Sequence, residues 1–316
     1  MTISMQLHEV NKTGNFRVVE YSATLRTGRL VNLPQEIGKD AGCRLEFERY
    51  HMSTRSKGRK NGKNKDRIGL FTSDNVVALV LADGYGNSGD SIACVTRDNI
   101  GRELFEKQIS LGRDMDPDRL VGIVREALAK QAITQEKTGA SLSVLVLNKD
   151  GKYMGLRIGN CPVYIVENDV PTRLGSEEMV RLDGEEGPFL WRPSLLTAER
   201  YFENEGNLVT AIRKGELNTS SLDVFTGQLS AGNNLIVVSS GLVRNMPIAI
   251  DPSGKVTDSS RCYSVHDAIN GAGGLDEIAQ RLVDIEIMQE RELRISGGLA
   301  YRQVDKDRSV VVISFN

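Results

Sequence analysis

The chain has 316 residues, 40% of them hydrophobic and 26% charged, with a formal net charge of -2. That length suffices for a sizeable core, and the near-neutral balance excludes a protein-wide electrostatic commitment to nucleic acid or an anionic membrane. No apolar run approaches the roughly 20 residues of a spanning helix. The first residues lack the basic and apolar regions of a signal peptide. Cys43, Cys94, Cys161 and Cys262 show no C-x-x-C spacing, so reduced thiols in a cytoplasmic protein are expected. In chain order, "FRVVEYSATL" and "RLEFERY" read as strands, the second alternating with Leu45 and Phe47 on one face. "RSKGRKNGKNK", residues 55–65, reads as an exposed basic loop; with no aromatic between its charges it does not read as a nucleic-acid site.

"RIGLFT" and "VVALVLA" read as neighbouring strands joined by the turn "SDN". Residues 88–109 read as helix. "MDPDRLVGIVREALAKQAI" reads as a second helix, with Asp116 as N-cap, Pro117 at the first helical position and Leu120, Val124, Ala127 and Leu128 on one face. "SLSVLVL" and "YMGLRIG" form a hairpin around "NKDGK". Residues 167–220 read as a flap or irregular insertion, with Trp191 as its anchor. "NNLIVVSSGL" is a strand ending on small residues, "LDEIAQRLVDIEI" an amphipathic helix, and "RSVVVISF" a closing buried strand. Hairpins with blocks of helix between them predict an α+β layered fold in a single domain over 1–316.

Four stretches recur in a recognisable order. "NKDR" is followed by "LADGYGN"; then come "GASLSVLVL" with "LRIGNCPVYIV", "LSAGNNLIVVSSGL" and "DKDRSVVVISF". Over roughly residues 60–316 the chain thereby resembles the metal-dependent protein phosphatases of type 2C, the PPM class. The resemblance implies a four-layer α-β-β-α sandwich: two antiparallel sheets face to face, flanked by helices. It also implies a cleft between the sheets where two manganese or magnesium ions activate water against a phosphoserine or phosphothreonine. Such ions lower the pKa of bound water and require hard carboxylate oxygens.

Carried over residue by residue, the resemblance makes Asp83 the ligand bridging both metals, the Gly84 carbonyl a second ligand, and Asp66 the aspartate that acts through metal-bound water. Other positions depart from the family. Lys65 stands where many members have glutamate, Gly159-Asn160 where they have Gly-Asp, and Ser240 where they have a carboxylate. The closing ligand falls on Lys306 if Ser309 aligns with the family's threonine; a slip of one residue would instead place Asp305 or Asp307 there. The phosphate-gripping arginine falls on Asn61, with Arg59 and Lys60 as candidates to stand in.

An ammonium about 4 Å from a divalent ion faces roughly twice the 4 kcal/mol of two unit charges at an effective dielectric of 20. A charge-swapped cleft follows, in which Lys65 or Lys306 substitutes for metal charge. A single Mg²⁺ at Asp83 with several waters is the alternative, and two solvated surface lysines are the plain reading. Cys161, beside Asn160, reads as a buried inert thiol, and His8, His51 and His266 form no dyad. The resemblance with these losses implies a pseudophosphatase, without a cofactor, that binds a protein partner such as a kinase or phosphoprotein. The alternative is an active or weakly active manganese- or magnesium-dependent serine/threonine phosphatase.

Overall fold

The computed structural model describes residues 2–3, 8–11, 17–21, 25–26, 30–32, 41–47, 49–57, 64–72, 76–85, 89–107, 116–129, 139–159, 161–175, 179–181, 191–193, 196–197, 223–246, 249–250, 256–257, 259–285 and 307–316. The strands of its two large sheets begin with β1 (His8–Asn11), β2 (Arg17–Tyr21), β3 (Leu30–Asn32), β4 (Ala41–Phe47) and β5 (Tyr50–Lys57). There follow β6 (Asp66–Thr72), β7 (Val76–Tyr85), β8 (Gly139–Asn148), β9 (Lys152–Ile158), β10 (Val163–Glu167) and β11 (Val170–Leu174). Last come β12 (Leu196–Thr197), β13 (Asp223–Gln228), β14 (Asn234–Val238) and β15 (Arg308–Phe315). The first sheet runs β13-β9-β8-β7-β6-β3, with β12 also paired to β8; the second runs β11-β10-β14-β15-β5-β4-β2-β1.

Pairing within both sheets is antiparallel except between β2 and β4, which run parallel. The connection across residues 22–40 meets the need of a parallel pair for about a dozen linking residues. Helices α1 (Gly89–Glu106) and α2 (Pro117–Ala129) cover the outer face of the first sheet. Helices α3 (Ser240–Asn245), α4 (Ser259–Ile269) and α5 (Leu275–Val283) cover that of the second. The order of layers is helix, sheet, sheet, helix. Among the described residues no helix is long and apolar enough to cross a membrane.

The unbroken apolar run of β7 follows from burial on both faces. Val77, Leu79 and Leu81 enter the core between the sheets, while Val76, Ala78, Val80 and Ala82 pack under α1 and α2. The same division holds in β15, where Val311, Ile313 and Phe315 face inward and Val310 and Val312 lie under the outer helices. Period-2 alternation thus sorts side chains between two cores rather than between core and water.

Several local expectations meet their structural outcome here. Asp116 caps α2, its Oδ1 accepting the Asp118 amide at 3.0 Å. The "NKDGK" hairpin is closed by Asn148 Oδ1, which accepts the amides of Asp150 and Lys152, both at 3.0 Å, and by Gly151 at φ 85°. The basic loop begins later than its composition suggests, because Arg55, Ser56 and Lys57 are the end of β5; residues 58–63 lie outside the described ones. The expected irregular stretch opens on a tight hairpin. Asn168 and Asp169, at φ 51° and 63°, join β10 to β11 in a two-residue turn whose twist matches the flanking strands. Trp191 belongs to a short ribbon in which Trp191–Pro193 pairs with Met179–Arg181.

Candidate functional site

At one end of the central core, inward-facing positions change from apolar to polar on strand after strand. Leu79 and Leu81 give way to Asp83 on β7, and Leu70 and Ile68 to Asp66 on β6. Leu147 and Leu145 give way to Ser143 and Ser141 on β8. In the second sheet, Val311 gives way to Ser309 along β15 and to Asp307 just before it, and Met52 to Ser56 along β5. Antiparallel register brings these ends together: Asp66 pairs with Asp83, Asp83 with Ser141, and Ser309 with Ser56.

Asp66 is fully buried, and neither carboxylate oxygen has a hydrogen-bond partner. Burial first, then the charges of Asp83 and Asp307, hold its carboxyl well above the ordinary aspartate range; the nearby Ser309 and Ser239 hydroxyls pull only partly the other way. Its backbone is fixed by Asn64, whose Oδ1 accepts the Asp66 amide at 2.8 Å and whose Nδ2 donates to Ser56 Oγ at 2.6 Å. Ser56 Oγ in turn lies 2.8 Å from Ser309 Oγ. Asp307, expected as a possible closing ligand through a slip in register, is buried and accepts the Lys65 amide at 2.9 Å.

Asp83 is held differently. Its Oδ2 accepts the Ser240 amide at 2.8 Å, the Gly241 amide at 3.3 Å and the Ser240 hydroxyl. The carboxylate expected to bridge metals therefore caps the start of α3. Ser239, at the N-cap position, makes no side-chain cap; its Oγ accepts the Ser309 amide at 2.9 Å. Gly84 is needed for close packing rather than for a turn. A Cβ there would lie 2.0 Å from the Gly89 carbonyl oxygen at the start of α1 and 2.9 Å from that of Lys65, to which the Gly84 amide donates at 3.2 Å.

Cys161 is fully buried at the same place, and burial followed by the charges of Asp83 and Asp66 pushes its thiol well up, which leaves it a poor nucleophile. Arg157, 2% exposed, pairs with Asp223 across β9 and β13 and donates to the Gly159 carbonyl at 3.4 Å. Arg157, Ser56 and Asn64 were not singled out from sequence. The legible signal for Arg157 was a charged residue in a mostly apolar strand; Ser56 lies in a mostly polar strand and carried no such signal. Asn160, Lys306, Asp305, Asn61, Arg59 and Lys60 lie outside the described residues.

The donors present fit a dinuclear metal centre poorly. Asp83 Oδ2 already accepts three donors, and residue 240 offers a hydroxyl in place of a carboxylate. Among the described residues no three His, Cys, Asp or Glu side chains gather in a metal-holding group. Asp66 does present two bare oxygens, but one carboxylate holds a hard cation only with several waters completing the shell.

No protein-family model and no curated protein matches the sequence. Solved structures do match in fold. The PP2C phosphatase domain with a fragment of the regulatory domain of the cell fate determinant SpoIIE from Bacillus subtilis shares 16% identity at a TM-score of 0.53, over 99% of this chain and 70% of that one. The photosystem II phosphatase PBCP shares 15% at 0.54, over 84% and 99%. The catalytic domain of the serine/threonine protein phosphatase PstP, in complex with 2 manganese ions, shares 18% at 0.51, over 84% and 97%. What they share with this chain is the fold, that of PPM or type-2C phosphatase domains.

Proposed function

We propose that the protein is a pseudophosphatase, a PPM-fold module that binds a protein partner through surfaces of the old phosphatase scaffold rather than hydrolysing phosphoesters. The observation carrying the proposal is the engagement of Asp83 by Ser240 and Gly241. Metal-assisted hydrolysis needs carboxylate oxygens free to hold cations that activate water and neutralise phosphoryl charge. Here one oxygen of the central carboxylate is taken by three protein donors, and the residue replacing an acidic ligand supplies two of them. Asp66, driven toward its neutral form, is a poor ligand without a cation already beside it.

A kinase or phosphoprotein is the class of partner that suits a scaffold of this ancestry. The competing reading, a weakly active phosphatase using one manganese or magnesium ion, is favoured by the bare oxygens of Asp66 next to Asp83. Manganese-dependent hydrolysis of an aryl phosphate separates the two. The expected result is turnover no greater than that of the Asp83→Asn variant, with no saturable heat on titrating manganese into the protein. Turnover that Asp83→Asn abolishes would replace the proposal with the phosphatase reading.

A further inference from the structure

We infer that the Asp83–Ser240 contact stands in for a bridging cation, tying the two sheets together at the polar end of the core so that the fold needs no divalent ion there. The inference rests on the pseudophosphatase reading and concerns what holds the cleft, not what it hydrolyses.

Asp83 sits near the end of β7 in the first sheet, and Ser240 lies two residues beyond β14 in the second. Between those sheets the core is almost wholly apolar, which holds them together without fixing how their ends are set. Directed contacts are found at the edges. Opposite the site, Tyr50 of β5 donates its hydroxyl to the Asn148 carbonyl of β8. At the site, the Lys65 amide reaches Asp307, Asn64 reaches Ser56, and the Ser143 hydroxyl reaches the Cys161 carbonyl. Asp83 joins Asp307 as a carboxylate in this group and gathers three donors. Two amides and a hydroxyl converge on one carboxylate oxygen as charge-assisted hydrogen bonds, in the place a cation would occupy.

A metal ion seated on Asp83 Oδ2 would have to compete with these three donors. Conversely, a carboxylate at position 240 would place a second anion against Asp83, and the contact would then need a cation between them. Residue 240 therefore selects between a hydrogen-bonded and an ion-bridged junction.

Thermal unfolding of the full chain, followed by circular dichroism in EDTA and in manganese chloride, tests this. Wild type is expected to melt at the same temperature in both, because a ligand that does not bind the folded state cannot stabilise it. Asp83→Ala is expected to lower Tm by about 3–6 °C in both. Ser240→Ala, which keeps the two amides, lowers it less and supplies the readout if Asp83→Ala does not fold. Ser240→Asp is expected to melt low in EDTA and to be raised by manganese. Wild type stabilised by manganese, Asp83→Ala or Ser240→Ala melting with wild type in EDTA, or Ser240→Asp indifferent to both buffers would each overturn the inference. Aryl phosphate turnover by wild type would end the pseudophosphatase reading and leave the melting of Asp83→Ala in EDTA as a separate result. Absent turnover with an unshifted Asp83→Ala would end this inference alone.

Discussion

Asp66 and Asp83 are cross-strand neighbours in opposite circumstances. Asp83 has three donors on one oxygen, whereas Asp66 is fully buried with none, so its proton is retained far above the pH at which an unfolded aspartate releases it. The consequence for stability has a definite sign. Above about pH 4 the unfolded chain gives up the Asp66 proton while the folded chain keeps it, so stability falls as pH rises toward the raised folded value. Asp66→Asn cannot lose a proton and is expected to raise Tm at pH 8 in EDTA, the gain shrinking toward pH 4. An Asn variant less stable than wild type at pH 8 would mean that the folded chain satisfies the anion. Gly84 makes a second residue-scale prediction. The Cβ of Gly84→Ala would meet backbone on both sides, so the α1 start must move, at a cost of about 1–3 kcal/mol or more by urea unfolding. Asp83 and Gly84 stood out because Asp-Gly after a buried strand is conspicuous, and Asp66 because "NKDR" resembles the family's first motif. The resemblance implies a ligand role for the glycine's carbonyl; the structure adds a packing reason for its missing side chain.

Elements whose ends are satisfied locally were readable, and those satisfied from afar were not. Helix α2 begins on Asp116-Pro117, and its cap is closed two residues later. Asp116→Ala should cost about 1 kcal/mol, checked as a shift in the urea midpoint without a change in slope. Helix α3 is the contrary case. Its start carries Ser239, a good N-cap by type, yet the capping oxygen comes from Asp83, 157 positions earlier, and Ser239 bonds to β15 instead. A six-residue helix with so distant a cap has no local signature, so "VVSSGL" reads as the tail of a strand. The turn at Asn168-Asp169 was legible in principle, since both residue types tolerate positive φ; the surrounding glycines and acids drew attention to the longer stretch instead.

For the molecule as a whole, three apolar clusters separated by two sheets account for the layered fold, and the central one holds the two sheets face to face. Leu145→Ala, at a fully buried position of that central cluster, should lose about 2–5 kcal/mol in urea unfolding, and a loss under 1 kcal/mol would show that the sheets can close over the gap. By itself the sequence determined most strands, hairpins and helices and the α+β class, because period-2 alternation, turn residues and helix starts are local chemistry acting over a few residues. The four layers were implied by the resemblance its motifs carry, and the strand order came with the structure. The sequence motifs also pointed to Asp66, Asp83 and Ser240, but not to Ser56, Asn64 or Arg157 at the same end of the core. Only the tertiary structure decided what those side chains do there. Whether Asp83 faces a cation, an amine or a helix start depends on how two sheets distant in sequence pack, and a contact across that gap leaves no periodicity in either strand.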